Sequence, residues 1–288
     1  MVDDDMLDRH DPDYVRPDTL PEALQLLARG GRMILAGGTD LYPATKRQSL
    51  NAPVLDISGL RGLRGISRDE DGIRIGACTT WSDIIAADLP PAFDALKSAA
   101  AEVGARQIQN VATLAGNICN ASPAADGAPA LLVLDAQVEM ASPRGTRRLA
   151  LTEFITGVRQ TALARDEIVT GLFVPTASSS GTSSFLKLGA RRYLVISIAM
   201  VAVRLDIAAG TVAAAAFSIG SCSARALRLP GLEAKLVGRP AKTGLSLCIE
   251  DIDVGAYLSP LDDIRASAAY RQRAAAELLR RCIERALP

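Results

Sequence analysis

Residues 110–126 read NVATLAGNICNASPAAD, and the reading of this stretch organises the rest of the chain. It gathers small side chains, the flexible Gly116 and the polar Thr113, Asn117, Asn120, Ser122 and Asp126 into one short run. That is the composition of a loop wrapping something polar. Residues 35–41, LAGGTDL, have the same character, because Gly37 and Gly38 can take positive φ and turn backbone N–H groups toward an anion. Two such loops, about eighty residues apart, point to one large phosphate-bearing ligand.

Working outward, 288 residues are enough for about two domains, and 49% apolar with 22% charged residues excludes a disordered chain. Thirty-two basic and thirty-two acidic residues cancel, so no overall field favours nucleic acid or an anionic membrane. The apolar run at 194–203, bracketed by Arg192 and Arg204, is shorter than the ~20 residues of a membrane helix. The N-terminus, MVDDDMLDRHD, lacks the basic and apolar regions of a secretory signal, and a cytoplasmic location is expected. Cysteines 78, 119, 222, 248 and 282 stand singly, without CxxC, which argues against a zinc site, an iron–sulfur cluster or a disulfide framework on this chain. His10, the one histidine, lies in a charged terminus, so histidine-based acid–base catalysis is not expected, and no residue is assigned a catalytic role.

The first half alternates strands and helices. T-x-x-E at 19–22 is a capping box for a helix with Leu20, Ala23, Leu24 and Leu27 on one face. Strands are expected at 33–36, 54–57, 73–75, 137–141 and 168–174, and helices at 81–87, 91–103 and 129–134. TASSSGTSS at 176–184 has linker composition and marks the domain boundary. Beyond it, strands at 184–188, 196–205 and 212–220, the last two joined through Gly210, precede a long helix over 262–287, an α+β arrangement. Asp262 and Asp263 suit that helix's positive end and Arg280, Arg281 and Arg285 its negative end, with Ile264, Ala268, Leu278 and Cys282 assigned to the core.

Several motifs, in order, resemble one family: AGGTDL at 36–41, residues 54–57 followed by Leu60, IGACTTWSDI from Ile75, TLAGNICNASPAAD, KLGARRY at 187–193, and DDIRASAAYRQRAAAELLRR from Asp262. The chain resembles the flavin-binding medium subunit of the molybdenum hydroxylases, which include xanthine and carbon monoxide dehydrogenases. The resemblance implies a PCMH-type FAD-binding domain of two α/β parts over 1–176. It further implies a smaller α+β flavoprotein domain over 184–288, with an antiparallel sheet and the terminal helix. It places Ile34, Leu35, Ala36, Gly37, Gly38, Thr39, Asp40 and Leu41 along the diphosphate and adenine. Ala112, Thr113, Gly116, Asn117, Ile118 and Cys119 would close over the diphosphate and ribityl chain. Asp126 would make a polar contact deeper in, Leu172 would pack on the ligand, Lys187 would approach the flavin ring and Tyr193 would stand beside it. The physics agrees: backbone N–H groups freed by Gly37, Gly38 and Gly116, with the hydroxyls of Thr39, Thr113 and Ser122, suit two negative charges.

The same resemblance implies electron transfer, FAD receiving electrons from two [2Fe-2S] clusters on a small subunit and passing them to an external acceptor. Substrate oxidation would belong to a molybdopterin cofactor on a large subunit, the whole forming a dimer of heterotrimers. No cysteine-bearing insertion follows Asn120, so the extra cluster of related acyl-CoA reductases is not expected. Two other readings stand beside this one: a stand-alone FAD-dependent reductase or oxidase of the same fold, and a flavin-free scaffold.

Overall fold

Thr19 opens the first helix as its spacing predicts: its hydroxyl accepts from the Glu22 N–H at 3.4 Å, and the Glu22 carboxylate reaches back one residue further, to the Asp18 N–H. The computed structural model describes residues 13–45, 50 and 52–287, and the expectation for His10 lies outside them. The first unit contains β1 (Tyr14–Val15), α1 (Leu20–Ala28), β2 (Met33–Leu35), α2 (Leu41–Ala44) and β3 (Val54–Asp56). Its three strands are parallel in the order β1-β3-β2. The α1 stripe of Ala23, Leu24 and Leu27 shares a core with Leu55 and Ile57.

The second unit begins with β4 (Ile66–Arg68), β5 (Gly72–Gly76), α3 (Trp81–Ala86), α4 (Asp94–Glu102), α5 (Arg106–Gln109), α6 (Leu114–Asn120) and α7 (Gly127–Leu132). It continues through β6 (Gln137–Ser142), β7 (Gly145–Ala150), α8 (Leu151–Phe154), β8 (Ile155–Gly157), β9 (Gln160–Thr161) and β10 (Ile168–Pro175). Five of these strands form one antiparallel sheet, β4-β5-β10-β6-β7, and β8 and β9 form a separate hairpin. β10 is central, which explains its unbroken apolar sequence. Ile75, Val138, Met140 and Leu172 point to the helices, while Ala141 and Ile168 meet the first unit. β7, with Arg147 and Arg148, escapes sequence reading because it is a solvated edge strand with no apolar face.

The third unit is a four-stranded antiparallel sheet of β11 (Thr182–Leu188), β12 (Ala199–Ala208), β13 (Thr211–Gly220) and β14 (Leu227–Arg228), followed by α9 (Pro230–Leu236), α10 (Asp251–Gly255) and α11 (Ala268–Arg285). Along β12, Val201, Val203 and Leu205 face a core shared with α11, while Met200 and Ala202 enter the core of the second unit. Both faces are covered, hence the apolar run there. Arg204 continues the second face: its Nε donates to Val133 O at 2.8 Å, and Arg228 donates to Leu132 O at 2.9 Å. Two guanidinium groups from one unit thereby satisfy carbonyls at the C-terminal end of α7 in another.

The terminal helix starts at Ala268, six residues later than its pattern predicts. Ser267 caps it by accepting from Tyr270 N–H, while Asp263 accepts from the N–H groups of Arg265 and Ala266 and pairs with Arg271 at 2.7 Å. Aspartate closes its own turn more readily than it continues a helix. Ile264 is consequently 98% exposed, not core, whereas Cys282 is fully buried and Leu278 packs at the margin. The stretch 196–198 precedes β12, and a 3-10 turn at Pro91–Phe93 separates the expected 91–103 helix from α4. Among the described residues no helix is long and apolar enough to cross a membrane.

Candidate functional site

A cleft of about 580 Å³ lies between the β2–α2 turn of the first unit and α6 of the second. That volume is within the roughly 300–1,000 Å³ of small-molecule sites. Residues 34–41 form one wall, and Ala112, Thr113, Gly116, Asn117 and Cys119 contribute to the other. The two glycine-bearing stretches are therefore brought together, but the second is not the loop expected over 110–126: residues 114–120 form helix α6, whose Leu114, Ala115 and Ile118 enter the core while Gly116, Asn117 and Cys119 line the cleft. Asn120, one of the polar residues singled out at 110–126, lines it too, and so do Trp81, Val103, Ile108, Leu163 and Val169, which were not singled out from sequence. Trp81 sits inside the IGACTTWSDI motif and could have been; Leu163 arrives through the β8–β9 hairpin, and no local signal marks it.

The loops meet because Gly37 has no side chain: a Cβ there would lie 2.0 Å from the carbonyl oxygen of Val111. Gly38 has φ +70°, and a Cβ on it would meet the Tyr42 ring. Beyond β2, the N–H groups of Gly37, Gly38, Thr39 and Asp40 find no acceptor among the described residues. Across the cleft, Thr113 caps α6, its hydroxyl accepting from Gly116 N–H at 3.0 Å, and Leu114 N–H is tied to Thr79 O. Gly116 is exposed to the cleft, and a Cβ there would meet Thr113 Oγ1 alone. No lysine or arginine lines the cleft among the described residues. Unpartnered N–H groups without bulky side chains fit a diphosphate.

The other predicted residues lie elsewhere. Ile118 and Leu172 are 1% exposed and belong to the core of the second unit, and Ser122 accepts from Ala124 N–H in a turn. Asp126 and Lys187 form a buried ion pair, Nζ to Oδ2 2.7 Å, with Ser197 Oγ donating to Asp126 Oδ1 at 2.7 Å and Lys187 also reaching Glu102 O at 3.4 Å. Burial pushes the Asp126 carboxyl up, and Lys187 and Ser197 pull it back. Neither Asp126 nor Lys187 lines the cleft, although Lys187 reaches the carbonyl of Glu102, the residue before the cleft-lining Val103. Tyr193 is 60% exposed on the loop between β11 and β12, with Arg192 over its ring.

Cys119 faces the cleft from α6, and burial pushes its thiol up to about 12. At pH 8 it is then almost entirely protonated, and the thiolate is the nucleophile. Iodoacetamide at pH 8 is expected to label Cys119 at least about tenfold more slowly in the native chain than in urea. Peptide mapping checks this, and equal rates would mean that the thiol is not desolvated.

A larger, more open groove of about 1,040 Å³ lies beyond the contact between the first unit and the sheet, and its charges are largely satisfied: Arg74 and Arg148 share Glu139, and Arg147 holds Glu167. No group of three potential metal ligands occurs among the described residues.

Residues 8–177 match the model of the FAD binding domain in molybdopterin dehydrogenase, and residues 184–286 that of the CO dehydrogenase flavoprotein C-terminal domain. The chain is similar to the nicotinate dehydrogenase FAD-subunit of Eubacterium barkeri, 37% identical over 80% of this chain and 81% of that one. It is also similar to the caffeine dehydrogenase subunit beta of Pseudomonas sp. strain CBB1, 31% identical over 95% and 94%. Among solved structures, a chain of reconstituted CO dehydrogenase from Oligotropha carboxidovorans superposes with a TM-score of 0.87 at 27% identity, covering 95% of this chain and 96% of that one.

Proposed function

From the premise that the chain belongs to the family of FAD-binding subunits of molybdopterin dehydrogenases, we propose how it divides its work. It is the flavoprotein subunit of a multi-subunit molybdenum hydroxylase, an oxidoreductase, and its cofactor is FAD. Bound in the cleft, FAD supplies the exchange between electrons arriving singly from [2Fe-2S] clusters of a small subunit and electrons leaving in pairs to an external acceptor. The molybdopterin cofactor resides on a large subunit, and the complex is a cytoplasmic dimer of heterotrimers. The FAD-binding domain spans 1–176 and the C-terminal domain 184–288, a division supported by the two family matches.

The observation that carries the proposal is the row of N–H groups at residues 37–40, without acceptors among the described residues, in the same cleft as Gly116 and Thr113. These groups hold the diphosphate; Thr39 and Thr113 add hydroxyls, Ile34, Leu35, Ala36, Leu41 and Ala112 supply apolar walls, and Asp40, Asn117 and Cys119 border the ligand. Ile118 and Leu172 back the pocket from the core, and Asp126, Lys187 and Tyr193 serve the flavin-ring end. The chain's residues bind and orient; none is required as acid or base.

A stand-alone oxidase with a thiol-tethered flavin is disfavoured by Cys119, whose thiol at about 12 is a poor nucleophile. The FAD is therefore expected to be held non-covalently. Trp81, the single tryptophan, is 1% exposed and lines the cleft, so titrating FAD into the flavin-free chain is expected to quench its fluorescence at one equivalent. Acid precipitation of the loaded chain is then expected to release all the yellow colour. A chain that takes up no FAD would overturn the proposal and favour the scaffold.

A further inference from the structure

We infer that Arg159 is a further positioning residue for the bound nucleotide, the cation that the β8–β9 hairpin brings to the phosphates; this rests on the FAD reading above. The cleft offers N–H groups and hydroxyls but has no lysine or arginine in its lining among the described residues. Two phosphate charges are met more strongly where an arginine adds charge-assisted hydrogen bonds.

The hairpin is built to present one. Arg159 occupies its turn with φ +57°, a left-handed conformation uncommon outside glycine. Its N–H donates to Ala121 O at 2.9 Å, and Ala121, at the C-terminal end of α6, is itself left-handed at φ +45°. Two non-glycine residues in this conformation thus meet where the hairpin docks on α6. Strain retained at such a junction points to a use for what it positions.

The Arg159 guanidinium donates through Nη1 to the side-chain oxygen of Asn120, and Asn120 lines the cleft. Its Nε and Nη2 make no hydrogen bond among the described residues, and the side chain is exposed. Leu163, two residues beyond β9, lines the cleft as well, so the chain leaving the hairpin runs along it. Asn120 holds the guanidinium at the rim, with donors left over for phosphate oxygens.

The test is the affinity of the flavin-free full-length chain for FAD, read by Trp81 fluorescence. Arg159→Gln is expected to raise Kd about tenfold or more, the loss of one charge-assisted contact. Arg159→Lys should recover most of that loss, and the weakening of FAD binding by NaCl should flatten in Arg159→Gln alone. The main-chain bond to Ala121 survives both changes, and unchanged thermal midpoints would verify the fold. A Kd in Arg159→Gln within about twofold of the unaltered chain, or an equal loss in Arg159→Lys, would overturn the inference. An unaltered chain that binds no FAD would instead remove the function on which it rests.

Discussion

Gly37→Ala is expected to leave a chain with little bound flavin and a clearly lowered stability. Alanine ordinarily stabilises a loop position by narrowing the unfolded ensemble. Here its methyl would stand 2.0 Å from Val111 O, 2.7 Å from Val111 C and 2.9 Å from Ala112 Cα. All three are backbone atoms, so no rotamer change can relieve the contact. The β2–α2 turn and the segment at 111–113 leading into α6 must separate, and these belong to the two walls of the cleft. Overpacking of this kind costs roughly 1–3 kcal/mol. We expect that loss in urea denaturation, and a flavin-to-protein ratio below about a tenth of the unaltered chain after gel filtration, the cradle's N–H groups having lost their spacing.

Gly116→Val separates the ligand from the fold. Gly116 is helical, and a Cβ there meets Thr113 Oγ1 alone, a side-chain atom that can move. Valine's branches would project into the cleft, so FAD should be lost, while stability in urea falls by no more than the roughly 1 kcal/mol that displacing the Thr113 cap costs. Normal flavin content in Gly116→Val would place the nucleotide elsewhere.

Asp126→Ala is expected to be the most destabilising single substitution considered. It leaves the Lys187 ammonium, whose side chain is 5% exposed, with only Glu102 O at 3.4 Å for a partner among the described residues. An unpaired charge in that setting costs about 3–5 kcal/mol. The double variant Asp126→Leu/Lys187→Met should regain most of the loss, because it removes both desolvated charges and fills the space with apolar atoms. A single variant within about 1 kcal/mol of the unaltered chain would mean that water reaches the pair. Lys187→Ala adds a readout that packing alone does not move. It removes the cation, and is expected to lower the two-electron potential of bound FAD on the order of 30 mV. A potential that stays put would confine the pair to a structural role, joining the third unit to the second.

Much of the architecture is legible in local pattern. The Thr19 cap, the β12–β13 hairpin and the central β10 announce themselves because each satisfies its backbone and buries its apolar face within a short stretch. β7 and the start of α11 do not. An edge strand carries no burial signal, and Asp263 can cap a turn or a helix with the same side chain, the choice falling to Arg271, eight residues on.

The β2–α2 turn that lines the cleft was visible for the same local reason, since its glycines and polar residues cannot build core and their N–H groups must find partners outside it, whereas 110–126 read as a loop because its small and polar residues hide the apolar face of Leu114, Ala115 and Ile118 on α6. That much, together with the order of elements, the amino-acid sequence determines by itself. Which residues share the cleft is decided only by tertiary structure. Gly37 touches Val111, Lys187 finds Asp126 sixty-one positions away, and Arg159 reaches Asn120 across thirty-nine. Such contacts depend on how sheets and helices stack, and packing over those separations leaves no periodic trace in the chain.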